Sequence, residues 1–172
     1  MAKNKSVKKT KKKNPLQKDK ITVKESFTRL IESSYFGLLL ADTYFVILLV
    51  LSFQFHKVGD YGAETDFFWS YVPAAKSFLN ATLQIDPFTG SIYSIILGLV
   101  NLIISDYFYS GILIGIISAS FVIFLTFELL KRIFSPTVSF FVSLILIVNP
   151  VFVQYTYSAA TDMIFNALAT SA

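Results

Sequence analysis

Six carboxylates mark the places where this chain could do chemistry. Asp60, Glu64, Asp66, Asp86 and Asp106 fall between residues 56 and 108, and Asp162 follows a long apolar run. Two carboxylates brought together from separate parts of a chain can share acid–base work, one accepting a proton while the other positions a polar substrate. Asp66 stands apart from the rest. It is followed by Phe67, Phe68, Trp69 and Tyr71, rings that settle at the headgroup level of a membrane, where a carboxylate meets water. For any other single acid here, a solvated loop position is the simpler reading. Thr161-Asp162 reads equally well as a helix N-cap without chemistry. Lys57 and Lys76 are cations that could meet an anionic phosphate, although a solvated helix face accounts for Lys76 more simply.

Composition limits the chemistry further. The chain has 172 residues, no cysteine and one histidine, which rules out disulfide frameworks, thiolate nucleophiles and histidine metal clusters. His56, just beyond an apolar run, reads as interfacial, and no metal is expected. Hydrophobic residues make up 54% of the chain and charged ones 15%, against about 25% charged in a soluble domain. The net charge of +4 is unevenly spread: residues 1–34 carry eleven basic and three acidic residues, and the remainder four basic and eight acidic. Clusters such as Lys11-Lys12-Lys13 could hold anionic lipid or RNA, but a solvated, disordered tail is the simpler reading and no nucleic-acid partner is expected. The tail is too long for the charged region of a signal peptide, and no small-residue cleavage site follows the apolar run.

The elements that must position the acids are helices. The expected fold is all-α and polytopic, with about three full transmembrane helices, a truncated fourth and a helical extracytoplasmic first loop. Residues 1–34 form a basic, mostly disordered cytoplasmic tail in which 22–34 place Val23, Phe27, Leu30 and Ile31 on one side of a short amphipathic helix. Residues 35–172 form the membrane domain. Its first span covers 36–55, about the 20 residues that cross a bilayer core, and holds Asp42 near its inner end. Such a residue defaults to function, though packing or snorkelling is the simpler account.

Residues 91–104 are too short to span and read as interfacial or re-entrant. The second crossing is then 109–130 and the third 137–157, bent at Asn149-Pro150, with a fourth starting near Met163. This arrangement satisfies the positive-inside rule: the Lys-rich tail and Lys131-Arg132 stay cytoplasmic, and the loop 56–108 and Asp162 share the outer face. Within that loop Thr65 or Asp66 caps a helix running to about Leu79, with a kink expected at Pro73. Asp86-Pro87-Phe88-Thr89-Gly90 reads as a turn, and Asn80-Ala81-Thr82 matches a glycosylation sequon.

In order along the chain, Glu64-Thr65-Asp66, Tyr71, Ala74-Ala75, Phe78-Leu79-Asn80, Asp86-Pro87, Lys131-Arg132-Ile133-Phe134, Asn149-Pro150 and Thr161-Asp162 resemble the GT-C membrane glycosyltransferases. The resemblance covers roughly residues 36–172 and points to the branch of the protein O-mannosyltransferases and aminoarabinose transferases. It implies transfer of a sugar from a polyprenyl-phosphate or dolichyl-phosphate carrier to a protein, lipid or glycan acceptor on the extracytoplasmic face. It implies Asp66 as general base, Asp162 lining the same cavity and Glu64 beside them, where the family often has Asp-Glu adjacent. Tyr71 and Lys76 are the expected substrate-binding residues. The partners are membrane lipid and the lipid-linked donor, with no separate cofactor and no metal. The last residues, NALATSA, fall inside the fourth apolar segment, so an N-terminal fragment, inactive alone, is expected. Two other classes fit the residues: a transporter-like subunit, with Asp42 and Asn149-Pro150 as pathway features, and a non-catalytic membrane scaffold.

Overall fold

The computed structural model describes residues 23–55, 62–82 and 91–172. The tail to residue 22, His56, Lys57, Asp60, Asp86 and the turn around it lie outside the described residues. The described chain is helical: α1 (Val23–Glu32), α2 (Phe36–Phe55), a π-helical turn (Phe67–Tyr71) running into α3 (Val72–Leu79), α4 (Ser91–Ile104), α5 (Tyr107–Ile133), α6 (Pro136–Val148), α7 (Pro150–Thr156) and α8 (Asp162–Ser171).

Two of these helices are long and apolar enough to cross a membrane, α2 over Phe36–Gln54 and α5 over Tyr107–Ile133; α6 and α7, bent by 65°, qualify together as a third. Helices of this length and apolarity belong to a membrane protein. The 14 residues of α4 fall short of a span, and α4 packs on α3 and α5.

The central helix is α5, which touches α2, α4, α6, α7 and α8. Its small residues explain how. Gly111, Gly115, Ser118 and Ala119 are buried on it, and small side chains let backbones approach where lipid supplies no hydrophobic drive between helices. A Cβ on Gly111 would lie 2.8 Å from the Phe67 ring, and one on Gly115 would lie 2.6 Å from the Thr156 carbonyl oxygen. Both neighbours therefore sit in notches that only glycine leaves open. The start of α5 is capped by Asp106, whose carboxylate accepts from Tyr109 N at 2.9 Å.

At the far end of α5, Lys131 Nζ donates to the carbonyls of Glu32 and Ser33 at 3.2 and 3.0 Å, answering the unpaired oxygens and negative dipole end of α1. The apolar stripe of α1 is only partly used. Ile31 is buried and Phe27 meets Phe140 edge-on at 5.7 Å, whereas Leu30 stays exposed.

Two proline sites behave differently. At Asn149 the expected bend is present: its Oδ1 accepts from Val151 N and Phe152 N at 2.9 and 3.1 Å, so the amide restarts the helix that Pro150 interrupts. At Pro73 the irregularity lies just before the proline. The π-helical turn precedes it, closed by Val72 N donating to Phe67 O, and Pro73 enters the first turn of α3, where its missing N–H costs nothing.

Asp42 lies on an exposed face of α2. A carboxylate within a span costs about 2.5–3.5 kcal/mol on insertion scales, and among the described residues nothing pairs with it.

Candidate functional site

The chain crosses itself where the segment before the π-helical turn meets the turn before α8. Glu64 N donates to Ala159 O at 3.1 Å, and Ala159 N donates to Gly62 O, forming a parallel bridge between Ala63 and Ala159. Gly62 has φ of 104°, a conformation that glycine enters freely. Phe67, fully buried, anchors the crossing by filling the Gly111 notch against Ala159. Thr156, on the other flank, has its carbonyl against Gly115, and its hydroxyl bonds the Tyr44 hydroxyl of α2 at 3.0 Å.

On this frame the carboxylates take separate positions. Glu64 reaches across 97 residues of sequence, and its Oε2 accepts from both Thr161 N and Thr161 Oγ1 at 3.3 Å. It thereby serves the N-terminus of α8, whose own N-cap residue, Thr161, makes no capping side-chain bond. A carboxylate there also meets the positive end of the helix dipole. Asp66 is exposed and, although it occupies the N-cap position of the π-helical turn, makes no side-chain cap bond. Asp162, the first residue of α8, is exposed as well.

Tyr71 feels the charges of all three acids. Its hydroxyl hydrogen-bonds the Thr161 side chain. Burial raises its pKa above the usual 10; the bond to Thr161 pulls the other way, and the charges of Glu64, Asp66 and Asp162 push it further up. Tyr93 of α4 packs edge-on against Tyr71 at 5.0 Å. Burial raises its pKa too, with Glu64 adding to the effect, and its buried hydroxyl has no partner among the described residues. At pH 7 both phenols are thus neutral.

No protein-family model matches the chain, and no curated protein or solved structure does either.

The structure brings Glu64 against Thr161, next to Asp162, and Tyr71 lies within the influence of Glu64, Asp66 and Asp162. Lys76 stands outside the set of charges acting on Tyr71; its Nζ lies over the Tyr107 ring, 5.5 Å from the centroid, at the start of α5. Asp106 is occupied as a helix cap. Among the described residues no group of three metal-ligating side chains is placed to hold an ion. Two features escaped the reading of the sequence. Tyr93 carries no local pattern that would single it out. The Gly111 and Gly115 notches do: Gly-Ile-Leu-Ile-Gly is a small-xxx-small spacing inside an apolar run and signals close helix approach.

Proposed function

We propose that the chain acts as a membrane glycosyltransferase of the GT-C kind, moving a sugar from a polyprenyl-phosphate carrier to an acceptor on the extracytoplasmic face. One observation carries the reading: Glu64 bonds Thr161, the residue before Asp162, so acids from two segments far apart in sequence lie at one crossing, where the charges of Glu64, Asp66 and Asp162 all act on Tyr71. A structural acid would be expected to end in a cap or an ion pair, as Asp106 does. Asp66 does not.

The roles divide by hydrogen bonding. Asp66, exposed and uncapped, is the general base. As the acceptor oxygen bonds the anomeric carbon, Asp66 takes the acceptor proton, and the bond from that carbon to the phosphate oxygen breaks with its electron pair leaving on the lipid phosphate. Glu64 is a positioning residue, because its accepting oxygen is engaged by Thr161. Asp162 lines the acceptor side. Lys76, exposed over Tyr107, is the cation for the donor phosphate, and Trp69 and Phe68, both exposed, set the site at headgroup depth. With the Lys-rich tail and Lys131 cytoplasmic, the cluster faces outward. A transporter reading would need Asn149 in a pathway, but its side-chain oxygen is occupied as a cap.

The test is Asp66→Asn in the full gene product, assayed in membranes with a radiolabelled polyprenyl-phosphate sugar. Loss of a general base lowers transfer by about 10²-fold or more, while membrane assembly persists because Asp66 holds no structural bond. Glu64→Gln keeps an acceptor oxygen for Thr161 and loses less. Retained transfer in Asp66→Asn overturns the assignment, and a larger loss in Glu64→Gln than in Asp66→Asn reverses the two roles.

A further inference from the structure

The pair formed by α2 and α5 leaves an open groove of about 400 Å³ on its surface. Leu38, Asp42 and Phe45 line one wall, and Ile117, Phe121 and Phe124 the other. On each helix these fall at i, i+4 and i+7, the spacing that presents one continuous face. The floor is made of Ala41 and Ser120, both buried, and small floor residues admit a helix backbone at close range. The groove has the shape of a seat for a third helix.

Its polar groups say what that helix must bring. Asp42 lies six residues beyond Phe36, about 9 Å along the axis at 1.5 Å per residue. The charged rim of the pair lies closer to the end: Gly37 faces Glu128, and Lys131 and Arg132 follow on α5. A carboxylate on one methylene is too short to reach that rim. The Ser120 hydroxyl donates to Ile116 O at 2.8 Å, which leaves its oxygen only as an acceptor. Both polar groups of the groove therefore accept, and a donor-only side chain answers both.

We propose that this groove docks a transmembrane helix of another polypeptide, one that presents a lysine or arginine at the depth of Asp42. A lipid tail would leave the carboxylate unpaired in hydrocarbon. A second copy related by a two-fold axis through the groove would set Asp42 against Asp42, and Lys131 is already engaged with the carbonyls of α1.

The chain, reconstituted in phosphatidylcholine vesicles, is mixed with a labelled polyleucine transmembrane peptide carrying one lysine a third of the way along. A leucine-only twin serves as reference, and association is read by energy transfer. The lysine peptide should bind about tenfold more tightly than its twin. Asp42→Asn should bring it down to the level of the twin, and Ile117→Trp, which fills the groove but keeps the charge, should abolish the binding of both. Circular dichroism identifies variants that retain their helices. Equal binding of the two peptides overturns the proposal, as does a lysine preference that survives Asp42→Asn. Association between labelled copies of the chain that depends on Asp42 also overturns it, by making the occupant a second copy.

Discussion

Gly115→Ala tests the frame of the candidate site without touching an acid. In an ordinary helix this change gains about 1 kcal/mol of propensity. Here the new Cβ would lie 2.6 Å from the Thr156 carbonyl oxygen and 3.3 Å from that of Ser158. An ordinary carbon–oxygen contact needs about 3.3 Å or more, so backbone must retreat by roughly 0.7 Å. Overpacking of this kind costs about 1–3 kcal/mol, more toward the upper end because a carbonyl cannot rotate aside as a side chain can. The net expectation is a loss of about 1–2 kcal/mol, or roughly 2–8 °C in the unfolding midpoint for a chain of this size. Thermal unfolding in detergent micelles, followed by circular dichroism, measures it.

The displacement should propagate to Ala159, which pairs with Ala63. The chain has no cysteine, so the double variant Ala63→Cys and Ala159→Cys reports that distance by oxidative cross-linking against an empty background. Cross-linking should be rapid in this double variant and several-fold slower once Gly115→Ala is added. Gly98→Ala is the control: its nearest contact, Ala75 O, is at 3.3 Å and the next is a Phe78 ring atom at 3.4 Å, so the propensity gain should offset the crowding. A Gly115→Ala protein with an unchanged or higher midpoint and undiminished cross-linking would refute the close approach of α5 to the turn before α8.

Tyr44→Phe removes the buried bond to Thr156 but leaves Thr156 its bond to Phe152 O at 2.7 Å; the loss should be about 0.6–1 kcal/mol in the same unfolding experiment. Asn149→Ala deletes both cap bonds of α7 and should cost about 1 kcal/mol, whereas Asn149→Ser, which retains a capping oxygen, should lose much less. The Tyr71 pKa is raised in the folded state, so its contribution to stability is whole below pH 10 and declines as pH climbs through the elevated value. The difference between absorbance titrations of the parent chain and Tyr71→Phe isolates this phenol, and a difference step at or below pH 10 would contradict the burial and the neighbouring charges that raise it.

The long elements were legible because their causes are local. An apolar run of sufficient length makes α2 wherever it lies, residues 91–104 make a shorter apolar helix, and Asn149-Pro150 must interrupt and recap a helix. The helix beginning at Asp162 was also legible, although its cap was not. The sequence suggested Thr161 or Asp162 as the capping group, whereas the acceptor comes from Glu64, 97 residues away. No local pattern encodes that pairing. It exists because Gly111 and Gly115 let Phe67 and Thr156 press against α5, which places the segments before the π-helical turn and before α8 side by side. At Pro73 the sequence suggested an irregular helix but not the π-helical turn before the proline: the buried positions of Phe67 and Tyr71 set the register of that turn, which keeps both rings inside while delivering Pro73 to the start of α3. Residue types thus determined which groups could act as acids, and tertiary packing decided which acid is tied to Thr161 and which is left open, since only contact between distant segments can assign a hydrogen bond.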